Sequence, residues 1–262
     1  MALALKTRLT EARERIDLFA EGIVEVAQSK ENTGGIVKII AALGANANDK
    51  AAKRFAKTPI GQRAIADPTG LLRILQDRDY LASCPQGSLG RSYFEFVYQE
   101  NLSADGLVDA VNEGTKHRAE DIVKKPEVAA LSARFRDLHD LWHVTTGYGR
   151  DVLGEMSILF FSFAQIRNPG FAFISLTAAT VAKLVDRDVP AYRVLMEAYT
   201  NGSTADWLLA EDWESMMEQP LDEVRGQLGI SHPKLYKKHE KDAARLERRI
   251  QKIQTRINTA FA

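Results

Sequence analysis

Residues Pro126 to Phe163 read PEVAALSARFRDLHDLWHVTTGYGRDVLGEMSILFFSF. Proline is preorganised for the first turn of a helix, so Pro126 marks a start. From there Val128, Leu131, Phe135, Leu138 and Trp142 recur at steps of three and four, the spacing of one apolar face of a helix. Gly147-Tyr148-Gly149 breaks that pattern. A second helix is predicted over about Asp151–Arg167, ending at Asn168-Pro169-Gly170. Two helices joined by a glycine hinge form a hairpin, and no stretch of period-two alternation competes with this reading.

Working outward, the rest of the chain keeps the helical period, which predicts an all-α fold: a single helical bundle with N- and C-terminal helical extensions. In the first extension, residues 1–30, Leu9, Ala12, Ile16, Phe19, Ile23 and Val26 recur at steps of three and four with charge between them, a helix ending near Ser29. The bundle is assigned to 31–230. It opens with a helix over about 35–43, followed by a turn at Asn46–Asp49. CPQGSLG, from Cys84 to Gly90, reads as loop; the aromatic run after Ser92 suits a strand by its aromatic content, and Phe94, Val97 and Leu102 at helical spacing favour a helix. Phe171–Val185 is apolar on nearly all sides, so it is expected in the middle of the bundle or against lipid. Pro190 and Pro220 are placed to open helices, and Gly202 and Gly229 to close them. The second extension, 231–262, carries a narrow seam of Leu246, Ile250, Ile253 and Ile257.

Composition limits the function. Lys plus Arg total 35 and Asp plus Glu 35, so no net field draws the chain to nucleic acid. The nine Lys and Arg against three acids between Lys234 and Arg256 have no interleaved aromatic platform, which also argues against nucleic acid. They suit a basic helix resting on anionic lipid, or one docked on a partner. The single cysteine, Cys84, excludes an intrachain disulfide and fits a reducing compartment. The opening MALALKTRLTEARERIDLF has no apolar run long enough for a secretory signal, and the stretch Asn168–Ala182 is too short and polar to span a membrane.

On a wheel of roughly 100° per residue, His139 and His143 lie about 40° apart on a flank of the apolar stripe, with Asp140 roughly 60° beyond. Two histidines at i and i+4 can reach one divalent ion. On the next helix Glu155 falls between Val152 and Leu159, within the face defined by Val152, Met156, Leu159, Phe160 and Phe163. A carboxylate there is costly unless paired. A metal ion shared with the histidines across the hinge would satisfy it; so would an ion pair with Arg150, Arg136 or a lysine.

These residues are similar to a known family. HDLWHVTTGYGRDVLGE, from His139 to Glu155, matches the H-D-x-x-H, eleven residues, E pattern of the ubiquinone-pathway family named coenzyme Q biosynthesis protein four. PQGSLGRSYFEF from Pro85 and WESMMEQPLDEVRGQLGI from Trp213 also agree, so the resemblance covers about 85–230. It implies an all-α protein with a divalent metal, zinc foremost and iron(II) as the alternative, at His139, Asp140, His143 and Glu155. It further implies work on a prenylated quinone precursor or other isoprenoid lipid at a membrane surface, among other quinone biosynthesis proteins and with a homodimer as an open arrangement. The chain is expected to be a bacterial-type member, peripheral on the cytoplasmic face, because no transit peptide precedes it.

For the resembled activity, replacement of the ring carboxylate of a prenylated hydroxybenzoate by hydroxyl, two metal readings stand. Zinc would act as a Lewis acid on the electron-rich ring. Iron(II) would sit in a facial triad of two histidines and a carboxylate. Asp140 is either a fourth ligand or the acceptor that fixes a ring tautomer. Leu159, Phe160, Phe163, Phe171, Phe173 and Leu176 are candidates for a lipid groove, although each also suits ordinary core. A non-catalytic, lipid-presenting scaffold is the second reading. A metal phosphohydrolase of the HD type is the third, using His117, His139, Asp140 and Asp186 or Asp206, and it leaves His143 and Glu155 without a role.

Overall fold

The computed structural model describes residues 2–28, 33–98 and 125–260. Among them the chain is all-α, with one isolated antiparallel bridge, Ser88 to Pro220. The helices are α1 (Ala2–Gln28), α2 (Thr33–Phe55), α3 (Pro59–Ala66), α4 (Gly70–Gln76), α5 (Arg78–Ser83) and α6 (Leu89–Tyr98). After the undescribed segment come α7 (Pro126–Thr146), α8 (Val152–Ile166), α9 (Pro169–Val185) and α10 (Ala191–Thr204). A short 3-10 turn (Leu208–Ala210) leads to α11 (Trp213–Met216), α12 (Leu221–Gln227) and α13 (Lys234–Ala260).

The expected hairpin is the centre of the fold. α7 runs from Pro126 to a left-handed Gly147, φ 78°, whose N–H returns to the His143 carbonyl. A side chain is disfavoured in that backbone region, so glycine permits the stop. The carbonyls left over at the end of α7 accept from Arg225: Nε reaches Thr145 O at 2.8 Å and Nη2 reaches Val144 O at 3.0 Å. α8 packs against α9 and α10, and α7 against α2, α3 and α6. Leu138, Leu141, Trp142, Leu153, Ile158 and Phe161 are buried at this junction. The segments from Pro85 and Trp213 also meet: Leu89 N–H donates to Gln219 O at 2.9 Å, and Gly90 N–H to Met217 O.

Several expectations need correction. The α1 stripe is covered only toward its C-terminal end: Leu9 and Ile16 are 63% and 67% exposed, whereas Phe19 meets the Phe173 ring, Val26 lies against Gly35, and α2 closes on Gly22. Those two glycines let the backbones touch, which the apolar period does not record. The turn at Asn46–Asp49 is absent, because α2 continues to Phe55. Asn48 there accepts from Asn168 Nδ2 at 3.1 Å, and Gly44 leaves room for the Asn168 side chain, so a tertiary contact overrides local turn preference. α9 is not central. Phe171, Ser175, Ala179 and Ala182 face inward while Phe173, Leu176, Val181 and Leu184 are exposed. Gly202 lies within α10 against the Phe161 carbonyl rather than at its end, whereas Gly229 does follow α12 with φ 64°. In the α13 seam Leu246 is buried and Ile253 exposed. Leu102 and His117 lie outside the described residues, and so does the Ile257 side chain.

Candidate metal centre

Because α7 stays helical through Thr146, His139 and His143 stand one turn apart, with ring centroids separated by 4.9 Å. Ligand atoms of His139, Asp140 and His143 lie within 4.8 Å of one another. The hinge then folds α8 back, and Asp151 caps it: Oδ1 accepts from Leu153 N–H at 2.9 Å and Gly154 N–H at 3.0 Å. This fixes the first turn, which carries Glu155. Its carboxylate faces both rings, with Oε1 3.6 Å from His143 Nε2 and Oε2 4.0 Å from His139 Nε2.

His143 is fully buried. Its Nδ1 stands 3.0 Å from the Tyr148 carbonyl, which can only accept, so Nδ1 carries the proton. Nε2 has no hydrogen-bond partner and faces the Glu155 carboxylate. Phe96 from α6 stacks on the imidazole at 5.7 Å, and the Arg150 guanidinium lies 4.1 Å over the Phe96 ring. Arg150 Nη2 is also 3.6 Å from Asp140 Oδ1, while Arg136 pairs with Asp137. Thus the arginines that offered Glu155 an ordinary ion pair engage other acids.

The expected face of α8 differs in one respect. Val152, Glu155, Leu159 and Phe163 form its half-buried side, and Met156, Ile158 and Phe161 point into the core. Glu155 accordingly keeps 43% of its side chain exposed and lies at a mouth instead of in a closed interior.

Charge coupling runs through the group. Burial disfavours the His139 imidazolium, but the contact with Asp140 and the negative charge of Glu155 raise its pKa overall. For Asp140 burial pushes upward, and the His139 contact and nearby cations bring the net value below the usual range. Glu155 behaves likewise: the penalty of burial is outweighed by His143 and then His139.

The donor set can hold a divalent ion. Two ligand atoms at about 2.1 Å from one ion lie no more than about 4.2 Å apart; Glu155 meets that limit pairwise, through Oε1 to His143 and Oε2 to His139, while the atoms that are all mutually close are those of His139, Asp140 and His143. A buried ring nitrogen without a hydrogen-bond partner is what such an ion would satisfy. Of the phosphohydrolase set His117 lies outside the described residues, and among the described ones neither aspartate joins His139 and Asp140. Asp186 accepts from Arg245 at 2.7 Å and lies 3.1 Å from Arg249, so it is engaged elsewhere. The sequence reading missed Phe96, the Tyr148 carbonyl and Asp151 as parts of the site. Only Asp151 left a signal, an acidic cap directly before an apolar helical run.

Comparison with known proteins gives a consistent result. A sequence profile described as "Coenzyme Q (ubiquinone) biosynthesis protein Coq4" matches residues 7–234. A relative from Talaromyces stipitatus named "Ubiquinone biosynthesis protein coq4, mitochondrial" is 30% identical over 176 residues, 67% of this chain and 58% of its own length. One of the same name from Candida tropicalis is 28% identical over 201 residues, 75% of this chain and 60% of its own. The chain therefore spans somewhat under two thirds of these relatives. A crystal structure of a protein from Nostoc punctiforme PCC 73102, given a ubiquinone-biosynthesis name, aligns with TM-score 0.54 at 19% identity, covering 83% of this chain and 97% of that one. At that identity the likeness concerns the fold.

Proposed function

From the premise that the chain belongs to the Coq4 family of ubiquinone biosynthesis proteins, we propose that His139, His143 and Glu155 hold a divalent metal at which the ring of a prenylated hydroxybenzoate-type lipid exchanges its carboxylate for hydroxyl. The observation that carries the reading is the Glu155 carboxylate facing both Nε2 atoms, one of them buried and otherwise unpartnered. Zinc suits the nitrogen and oxygen donors, and iron(II) suits the same two imidazoles and carboxylate.

Loss of carbon dioxide with gain of hydroxyl oxidises the ring, so dioxygen or another acceptor takes the electrons. The bound ion would supply Lewis acidity toward the ring oxygens. The protein's own groups do the rest. The Tyr148 carbonyl fixes the His143 tautomer, and Asp140, 3.4 Å from His139 Nδ1, does the same for His139. Phe96 covers His143 from water, and Arg150 above it presents a cation suited to the ring carboxylate. The half-buried stripe Val152, Leu159 and Phe163 continues from Glu155 along α8 and offers an apolar path for the isoprenoid tail. No described helix is long and apolar enough to cross a membrane, which fits a peripheral position.

The test is metal content and turnover together. Wild-type protein should bind one equivalent of metal, Glu155→Gln and His143→Ala should lose most of it, and the loaded protein should convert a prenylated hydroxybenzoate with release of carbon dioxide. Metal bound without turnover under any redox condition would support the scaffold reading instead, in which the ion only braces α7 against α8. Retention of metal by both variants would overturn the site itself.

A further inference from the structure

The family match ends at residue 234, the first residue of α13, yet α13 reaches back to the hinge between the histidines and Glu155. Tyr236 is fully buried there. Its hydroxyl accepts from Gly149 N–H at 2.9 Å and donates to Asp151 Oδ2. Its ring meets that of Tyr148, centroids 5.4 Å apart, and Tyr148 supplies the carbonyl that orients His143. A second α13 residue, Glu247, accepts the Val152 N–H at 3.1 Å. Glu197 on α10 in turn seats the start of α13, accepting from Leu235 N–H at 2.7 Å and Tyr236 N–H at 3.0 Å.

The approach leaves no slack. A Cβ on Gly149 would lie 2.5 Å from the Tyr236 hydroxyl, and one on Gly154 would lie 1.9 Å from the Gly149 carbonyl. Hydroxyl, hinge backbone and first turn of α8 thus touch in sequence, and the next residue is Glu155. We propose that α13 braces the metal centre from outside the shared family region, with Tyr236 as the positioning residue that sets Glu155 and His143 against each other. The proposal rests on the metal reading above. Outer partners of ligating groups commonly change affinity by about 10- to 100-fold, because a ligand held off its angle must be reorganised when the ion binds.

Tyr236→Phe removes one oxygen and no packing volume, leaving Gly149 N–H and Asp151 Oδ2 without that partner. Leu246→Ala serves as the comparison, since Leu246 is buried on α13 but makes no hydrogen bond to the hinge. The measurements are Zn(II) and Co(II) affinity by chelator competition, the Co(II) ligand-field spectrum, and thermal melting of the metal-free proteins. Tyr236→Phe should bind severalfold more weakly with a shifted Co(II) spectrum, a smaller loss than the about 10- to 100-fold that follows removal of a group bonded directly to a ligand. Leu246→Ala should melt earlier yet keep wild-type affinity. Should Tyr236→Phe fail to fold, Glu247→Ala removes the Val152 acceptor from the same helix and should weaken binding severalfold. Unchanged affinity and spectrum in the hinge variant, or equal weakening in Leu246→Ala, would overturn the proposal. Wild-type protein that binds neither ion would instead overturn the metal reading, and the brace with it.

Discussion

Asp151 does two jobs at the hinge, so its replacement by alanine carries a cost that can be assembled from the structure. Oδ1 caps α8 through Leu153 and Gly154 N–H, and Oδ2 accepts from the Tyr236 hydroxyl. Loss of a cap costs about 1–2 kcal/mol. Leaving the largely buried tyrosine hydroxyl without its charged acceptor costs about 1–3 kcal/mol more. The two groups share one residue, so the sum is bounded at about 2–4 kcal/mol. For a chain of this size each kcal/mol lowers the melting temperature by about 2–4 °C, which gives a fall of about 5–15 °C. Asp151→Ser should recover the capping share, because serine caps nearly as well, and leave the tyrosine share lost. Metal-free protein, calorimetry and chemical denaturation are the right conditions, so that bound ion does not mask the effect. An Asp151→Ala protein that unfolds at the wild-type midpoint would refute the hinge accounting, and a serine variant no better than alanine would refute its division into two shares.

Other perturbations separate the neighbouring roles. Arg150→Gln should leave metal content unchanged and raise KM for a carboxylated ring about 10- to 100-fold, the worth of one charge-assisted pair, while binding of a decarboxylated analogue changes little; equal effects on both ligands would remove Arg150 from carboxylate recognition. Asp186, buried against Arg245 and Arg249, has its pKa lowered chiefly by the Arg245 hydrogen bond. Its stabilising share is therefore full above the ordinary aspartate range and is lost as pH falls through the depressed value, so Asp186→Asn should cost about 1–3 kcal/mol near neutrality and nothing in strong acid, read from urea midpoints against pH. Gly202→Ala would bring a Cβ within 2.8 Å of Phe161 O and 2.9 Å of Ala164 Cβ, and should destabilise the α8–α10 contact by about 1–3 kcal/mol in thermal melts.

How much was legible in the sequence follows from what each feature depends on. The proximity of His139 and His143 was legible because both sit on one helix, where residue spacing fixes angle. Glu155 was found because a short hinge leaves few ways for the following turn to lie. Where the partner is remote in sequence, the signal vanishes. Tyr236 and Glu247 meet Gly149 and Val152 across more than eighty residues, and Arg225 reaches the end of α7 over a similar span. The α1 stripe shows a related limit: hydrophobic period says that a face is apolar but not how much of it another element covers. Here the covering helix chose the glycine side. Phe96 was read as part of a helix, yet nothing in its neighbours names the imidazole it stacks on.

The two halves of the candidate centre are consequently held by different means. The imidazoles ride on α7, a long helix embedded in the core, where neighbouring side chains fix their direction. Glu155 rides on the first turn of α8, whose position depends on four N–H groups finding acceptors: Gly149 at Tyr236, Val152 at Glu247, and Leu153 and Gly154 at Asp151. Two of those four bonds end on α13. If docking of α13 strengthens ion binding by some factor, ion binding must strengthen docking by the same factor, since the coupling free energy belongs to the pair. An ion that closed the gap between Glu155 and the rings would then hold α13 onto the bundle. Loss of the ion would be felt at a helix that touches none of the proposed ligands. Hydrogen exchange along α13 in loaded and chelated protein reads that coupling directly, and the half-exposed position of Glu155 means that lipid bound along Val152, Leu159 and Phe163 would act on the same turn.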